Sequence, residues 1–140
     1  MSDSRGQVTV MVLGVALTAF AVAGLAVDGT RAFLLRRTLQ NAADAAATAA
    51  AGEVNEEAYY ASGGHEVMLD RDAARREVLR WLAQRGIQTL VSVQVGESVV
   101  SVVLRDKTPV TFLALIGVDS IPVAVEARAS PISGPPPRSP

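Results

Sequence analysis

Cysteine is absent, so disulfides, thiol nucleophiles and cysteine-ligated metals are excluded. Histidine occurs once, at His65, which excludes a His-pair zinc site. That histidine stands beside Gly63, Gly64 and Glu66 in an expected loop, where an imidazole is normally just solvated. Aromatics make up 4% of the residues, and Lys107 is the single lysine in an otherwise all-arginine basic set. Thirteen basic and fourteen acidic residues leave a net charge of −1, with no run of like charge, so the electrostatic footprint of a nucleic-acid binder is missing. No glycine-rich phosphate loop and no EF-hand spacing occurs. Asp70 and Asp72 read as helix caps, not as a carboxylate dyad. No nucleophile–base pairing, metal cluster or cofactor motif can be assembled. The expectation is a protein that is not an enzyme and has no cofactor, no small-molecule substrate and no nucleic-acid partner.

Charge is also absent from residues 8–27, VTVMVLGVALTAFAVAGLAV. At 1.5 Å per residue a helix of this length is roughly 30 Å long, the thickness of a bilayer's hydrocarbon core. This segment supplies much of the mean hydropathy of +0.28. Ala21-Val22-Ala23 before Gly24 has the form of a signal-peptidase site. Against cleavage, the apolar run continues through Leu25, Ala26 and Val27, and exceeds the 7–15 residues of a typical signal core. A retained transmembrane helix is therefore expected, with the bilayer as a partner. Gly14, Thr18, Ala21, Gly24 and then Asp28 recur at helical spacing, one face on which a second membrane helix could pack closely.

The helical pattern does not stop at Asp28. Ala32, Leu35, Leu39, Ala42, Ala46 and Ala49 form one apolar stripe, while Arg31, Arg36, Arg37 and Gln40 lie mostly off it. Eight of the ten residues 42–51 are alanine, the best helix former. One helix from near Gln7 to Ala51 is expected. Residues 52–64 read as a loop, with Asn55, Ser62, Gly63 and Gly64 as breakers and Tyr59 and Tyr60 packing it down. Asp70 or Asp72 can cap a second helix ending at Arg85, with Gly86 as its stop. Its buried side is Ala74, Val78 and Leu82 beside Trp81, and its arginines 71, 75, 76, 80 and 85 face solvent.

The period then changes from 3.6 to 2. Residues 90–95 alternate, Gly96-Glu97 marks a turn, and residues 98–104 complete a hairpin ended by Arg105-Asp106-Lys107. Residues 109–116 are read as a short helix stopped by Gly117. Residues 121–129 give a third strand with Val123, Val125 and Ala127 on one face. Residues 130–140 hold five of the seven prolines and are expected to be disordered. The fold class is α+β: a long N-terminal transmembrane helix continuing into a small domain with a second helix and a three-stranded antiparallel sheet. The expected organisation is 1–7 N-terminal segment, 8–27 span, 28–51 Ala-rich continuation, 52–129 α+β domain and 130–140 tail.

That plan is pilin-like, and particular residues carry the likeness further. Arg5-Gly6 precedes the apolar run, Ala23 to Asp28 ends it, Arg31 and Arg37 follow, and then comes Leu39-Gln40-Asn41-Ala42-Ala43-Asp44-Ala45-Ala46-Ala47. This resembles the TadE/TadG-like proteins of tight-adherence (Flp) pilus systems over about the first fifty residues. Beyond Gly52 the likeness is one of pattern, including Phe112, Gly117, Val123 and Ala127. The resemblance implies a cell-membrane protein with a cytoplasmic N-terminus, an extracytoplasmic domain and other pilus-assembly subunits as hetero-oligomeric partners. It marks Arg31, Leu39, Gln40, Asn41, Ala42, Ala43 and Asp44 as the family segment and subunit contact. Alanine keeps the helix thin for close packing, and Gln40, Asn41 and Asp44 put polar groups within one turn. These could bond the chain's own domain, bond a partner, or simply wet the exposed side.

Filament-forming prepilins are cut after a glycine and carry glutamate at the fifth mature position. Were Gly6 that glycine, the fifth residue would be Met11, and no glutamate lies in the span. The chain thus resembles a minor or accessory subunit, left uncleaved. Arg5 before the span against Arg31, Arg36 and Arg37 after it would, by the positive-inside rule, favour the opposite orientation. The alternative function is a helix-anchored extracytoplasmic module binding an envelope polymer or soluble ligand. Such a module needs only a flexible linker, whereas a helix running through the membrane boundary suits lateral assembly.

Overall fold

The computed structural model describes residues 4–132; residues 1–3 of the expected N-terminal segment and most of the expected tail, 133–140, lie outside them. Three α-helices, α1 (Ser4–Ala50), α2 (Glu56–Ala61) and α3 (Arg71–Gln84), are followed by strands β1 (Leu90–Val95), β2 (Val100–Pro109) and β3 (Ser120–Ala129). A 3-10 turn, Leu113–Ile116, lies between β2 and β3. The strands form one antiparallel sheet in the order β1-β2-β3. In the β1–β2 hairpin Leu90 is opposite Arg105 and Val95 opposite Val100. The α+β class and the long apolar N-terminal helix are as the sequence predicts.

The chain divides into two compact units. The first comprises Met1–Leu35 and Lys107–Val123. In it the large apolar side chains of α1 lack protein cover: Met11 is 72% exposed, Leu17 69% and Phe20 60%. Gly24 and Asp28 are the buried positions on this stretch.

The second unit comprises Arg36–Asp106 and Ala124–Pro140. Here α1 buries Leu39, Ala42, Ala43, Ala46, Ala47 and Ala50. The covered face is broader than the expected stripe because spacings of 3 and 1 alternate along it. The rest of this core is Ala51, Leu69, Ala74, Val78 and Leu82, Val93, Val100, Val102 and Leu104, and Val125 and Ala127. α3 lies on β1, where Arg75 donates to the Val93 carbonyl at 2.9 Å. Asp70 caps α3 by accepting from the amides of Asp72 and Ala73, and Gly86 stops it at φ +65°. Arg85, which follows α3, stacks over Trp81 at 3.7 Å, and it and the four α3 arginines are exposed.

Four local readings are corrected. The expected loop 52–64 contains α2, because Asn55 is a cap: its side chain accepts from the Ala58 amide at 3.0 Å. Tyr59 lies against Gly64 as expected, but Tyr60 meets Tyr59 edge-to-face and is 77% exposed. The charged triplet 105–107 does end the pairing with β1, at Leu90 opposite Arg105, but it does not end the strand: β2 itself runs on to Pro109. The expected helix 109–116 shrinks to Leu113–Ile116, with Gly117 at φ +88° ending it.

Candidate functional site

The densest polar arrangement in the first unit is built on Asp28. Its carboxylate is 0% exposed. Oδ1 accepts from the Thr111 amide, and Oδ2 accepts from the amides of Phe112 and Leu113, each at 2.9 Å. These amides open the 3-10 turn and have no partner inside it, so a side chain more than eighty residues away does what a local cap would do. A buried carboxylate is tolerated where amide donors replace water, and three do so here. Arg31, one turn further along α1, donates from Nη1 to Thr111 Oγ1 at 2.7 Å.

An aromatic contact continues the arrangement toward the N-terminus of α1. Phe112 lies over Gly24, where a Cβ would come within 2.5 Å of its ring carbon Cγ. Its ring meets Phe20 edge-to-face, with centroids 5.4 Å apart. Only glycine at position 24 admits this approach. The carboxylate is saturated by donors that hold a turn in place, so its chemistry here is attachment, not proton transfer.

The expected membrane face is thus split. Gly24 and Asp28 are covered by the chain's own turn, while Gly14, Thr18 and Ala21 are exposed. The Thr18 hydroxyl donates back to the Gly14 carbonyl at 2.8 Å, a bond internal to the helix.

The family segment is divided as well. Leu39, Ala42 and Ala43 are buried in the core of the second unit. Gln40 donates to the Glu126 carbonyl of β3 at 3.1 Å and to Asp44 Oδ1 at 3.0 Å, laying this stretch of α1 against the sheet. Asn41 and Asp44 are exposed. On β3, the Arg128 guanidinium and the Ser101 hydroxyl hold the Glu126 carboxyl below its ordinary range.

Sequence reasoning missed the Asp28–turn attachment, having placed Asp28 only at the end of a small-residue face. The available signal was an acid directly after twenty uncharged residues, a position that demands donors. An open depression of about 570 Å³ in the second unit, lined by Thr48, Val54, Val67 and residues 129–132 among others, has no titratable lining residue. Among the described residues no three His, Cys, Asp or Glu side chains cluster as a metal site.

Residues 6–53 match the family model described as "Putative Flp pilus-assembly TadE/G-like". No curated protein and no solved structure matches. The matched segment is nearly coextensive with α1 and ends three residues past it. It supports involvement in Flp, or tight-adherence, pilus assembly and suggests a structural rather than a catalytic role. The one described helix long and apolar enough to cross a membrane fits a single-pass anchor.

Proposed function

We propose that the chain is a membrane-anchored, pilin-like accessory subunit of a tight-adherence pilus assembly system, structural and not catalytic, with a cytoplasmic N-terminus and an extracytoplasmic domain. The observation that carries this reading is that one unbroken helix joins the apolar run to the Ala-rich family segment. A flexible tether would serve an independent binding module equally well, whereas helix continuity serves lateral packing among subunits. Gly14, Thr18 and Ala21 are the positions left exposed for a neighbouring membrane helix. Asn41 and Asp44 are the exposed polar positions of the family segment, and Gln40 is engaged by the chain's own sheet. Retention of the helix through residue 23 fits the contact of Phe112 with Phe20, which cleavage before Gly24 would remove.

The test joins location to role. Alkaline phosphatase fused after Ser130 is expected to be active, and a cytoplasm-dependent reporter there dark. Photocrosslinkers at Asn41 and Asp44 are expected to trap a second pilus-assembly subunit. An inactive phosphatase fusion would vindicate the arginine count and reverse the topology. Correct topology with no trapped subunit, and adhesion unchanged on deletion, would favour the binding module.

A further inference from the structure

The 3-10 turn is held at a level on α1 that decides its surroundings. Phe20 lies seven residues before Val27, so at 1.5 Å per residue the Phe112 ring reaches about 10 Å inside the end of the apolar run. Asp28, which binds the backbone of the same turn, is the first residue beyond that end. The turn therefore straddles the boundary: Thr111 and Arg31 lie to one side, and the Phe112 ring points to the other.

The composition of the turn matches this position. Residues 110–118, VTFLALIGV, carry no charge and are bounded by Lys107 and Asp119. Leu115 and Ile116 are each 76% exposed, adjacent to each other and uncovered by protein. On α1 the exposed apolar surface continues on both sides of the Asp28 level, through Leu25 and Val27 before it and Phe33 and Leu34 after it.

Backbone entering an apolar phase must have its polar groups satisfied internally. Here the amides of Thr111, Phe112 and Leu113 go to Asp28. The amides of Leu115, Gly117 and Val118 go to the carbonyls of Phe112, Ala114 and Leu113. In water the Asp28 bonds merely exchange solvent for protein; at a membrane boundary they remove donors that nothing else would meet.

We propose that this turn is a second membrane-contacting element, with Leu115 and Ile116 inserted at the headgroup–acyl boundary of the leaflet that holds the C-terminal end of the span. The occupant of this apolar surface is lipid, because the turn that carries it is fixed to the apolar run through Phe112 and Asp28. The inference rests on the single-pass anchor reading. Its consequence is that the chain touches the bilayer at two places far apart in sequence, which fixes rotation of the helix about its axis as well as its depth.

The full-length chain is reconstituted in phosphatidylcholine vesicles containing 6,7-dibromo or 11,12-dibromo acyl chains. Trp81→Phe removes the only native tryptophan, and reporters are placed singly at Leu115→Trp or Leu17→Trp. The expected result is that the reporter at 115 loses about half its emission to the shallow bromines and little to the deep ones, as placement 5–10 Å into the boundary requires. The reporter at 17 is expected to be quenched more strongly by the deep bromines. Quenching at 17 with none at 115, and full access of 115 to aqueous acrylamide, overturns the second contact while leaving the anchor intact. Absence of bromine quenching at both positions overturns the anchor and the inference together. Asp28→Ala in the Leu115→Trp background is expected to abolish shallow quenching at 115; unchanged quenching would show that the turn's depth does not depend on its attachment to α1.

Discussion

Two stretches of the same helix, residues 8–27 and 39–50, each carry a set of apolar side chains, and the two sets meet opposite fates. In the first, valine, leucine, methionine and phenylalanine side chains are 42–72% exposed. In the second, Ala43, Ala46, Ala47 and Ala50 are 0% exposed. The first stretch is apolar all round, the second only on one face, and the side chains of that face are small. Large side chains with no protein around them require another apolar solvent, whereas methyl groups let a sheet come close to the helix backbone. The first stretch is therefore specified by thickness and composition, and the second by shape.

Helix continuity is the feature on which both stretches depend, and breaking it has the largest expected effect. Ala43→Pro removes a backbone hydrogen bond and clashes with the preceding turn, for about 3 kcal/mol or more. Thermal unfolding followed by circular dichroism should show a lower Tm, and pilus assembly should be lost; normal assembly at normal protein levels would contradict the continuous-helix reading. A paired enlargement sharpens the contrast. Ala46→Leu overfills a closed core and should cost about 1–3 kcal/mol, while Ala16→Leu, at an exposed position, should change stability by less than about 0.5 kcal/mol. Equal costs at the two sites would erase the distinction drawn here.

The same logic separates two glycines within the first stretch. Gly24→Ala drives a methyl into Phe112 and should cost roughly 1–3 kcal/mol, whereas Gly14 has open space and Gly14→Ala should be neutral or stabilising by up to about 1 kcal/mol. Limited proteolysis between β2 and β3 reports on the first, since the turn should be cut sooner in Gly24→Ala. The smallest effect concerns Glu126. Its folded carboxyl titrates below the ordinary value, so its contribution is present above the unfolded pKa and is lost as pH falls through the folded one. Tm should be slightly higher for the wild type than for Glu126→Gln at neutral pH, with the gap closing in acid; a gap that widens in acid would reverse the sign.

Periodic elements were legible in the sequence. The run from Gln7 to Ala51, the Asp70-capped helix and the strands near 90 and 121 each carry many residues repeating one period. What escaped were features set by single residues. Asn55 reads equally as a breaker and as a cap, and only the following turn decides. Arg105-Asp106-Lys107 looks like a strand end, because charge reports on exposure and not on backbone pairing. Gln40 left three options open, and its bond to Glu126 depends on a strand 86 residues away. Asp28 was visible as an acid at the end of an apolar run, but its donors are backbone amides, which have no residue-type signature. Long-range contacts to main chain are the class of information a one-dimensional pattern lacks.

Asp28 and its amides are separated by 83 to 85 residues, and the chain is made from its N-terminus. At about 5–20 residues per second, the carboxylate is synthesised some 4 to 17 s before the groups that satisfy it. During that interval Asp28 lacks its three amides, and Arg31, one turn along the helix, is the nearby charge already made. Arrival of the turn then converts a transient solvation requirement into a fixed joint. The late-made part of the chain thus supplies the donors that the early-made part lacks until then.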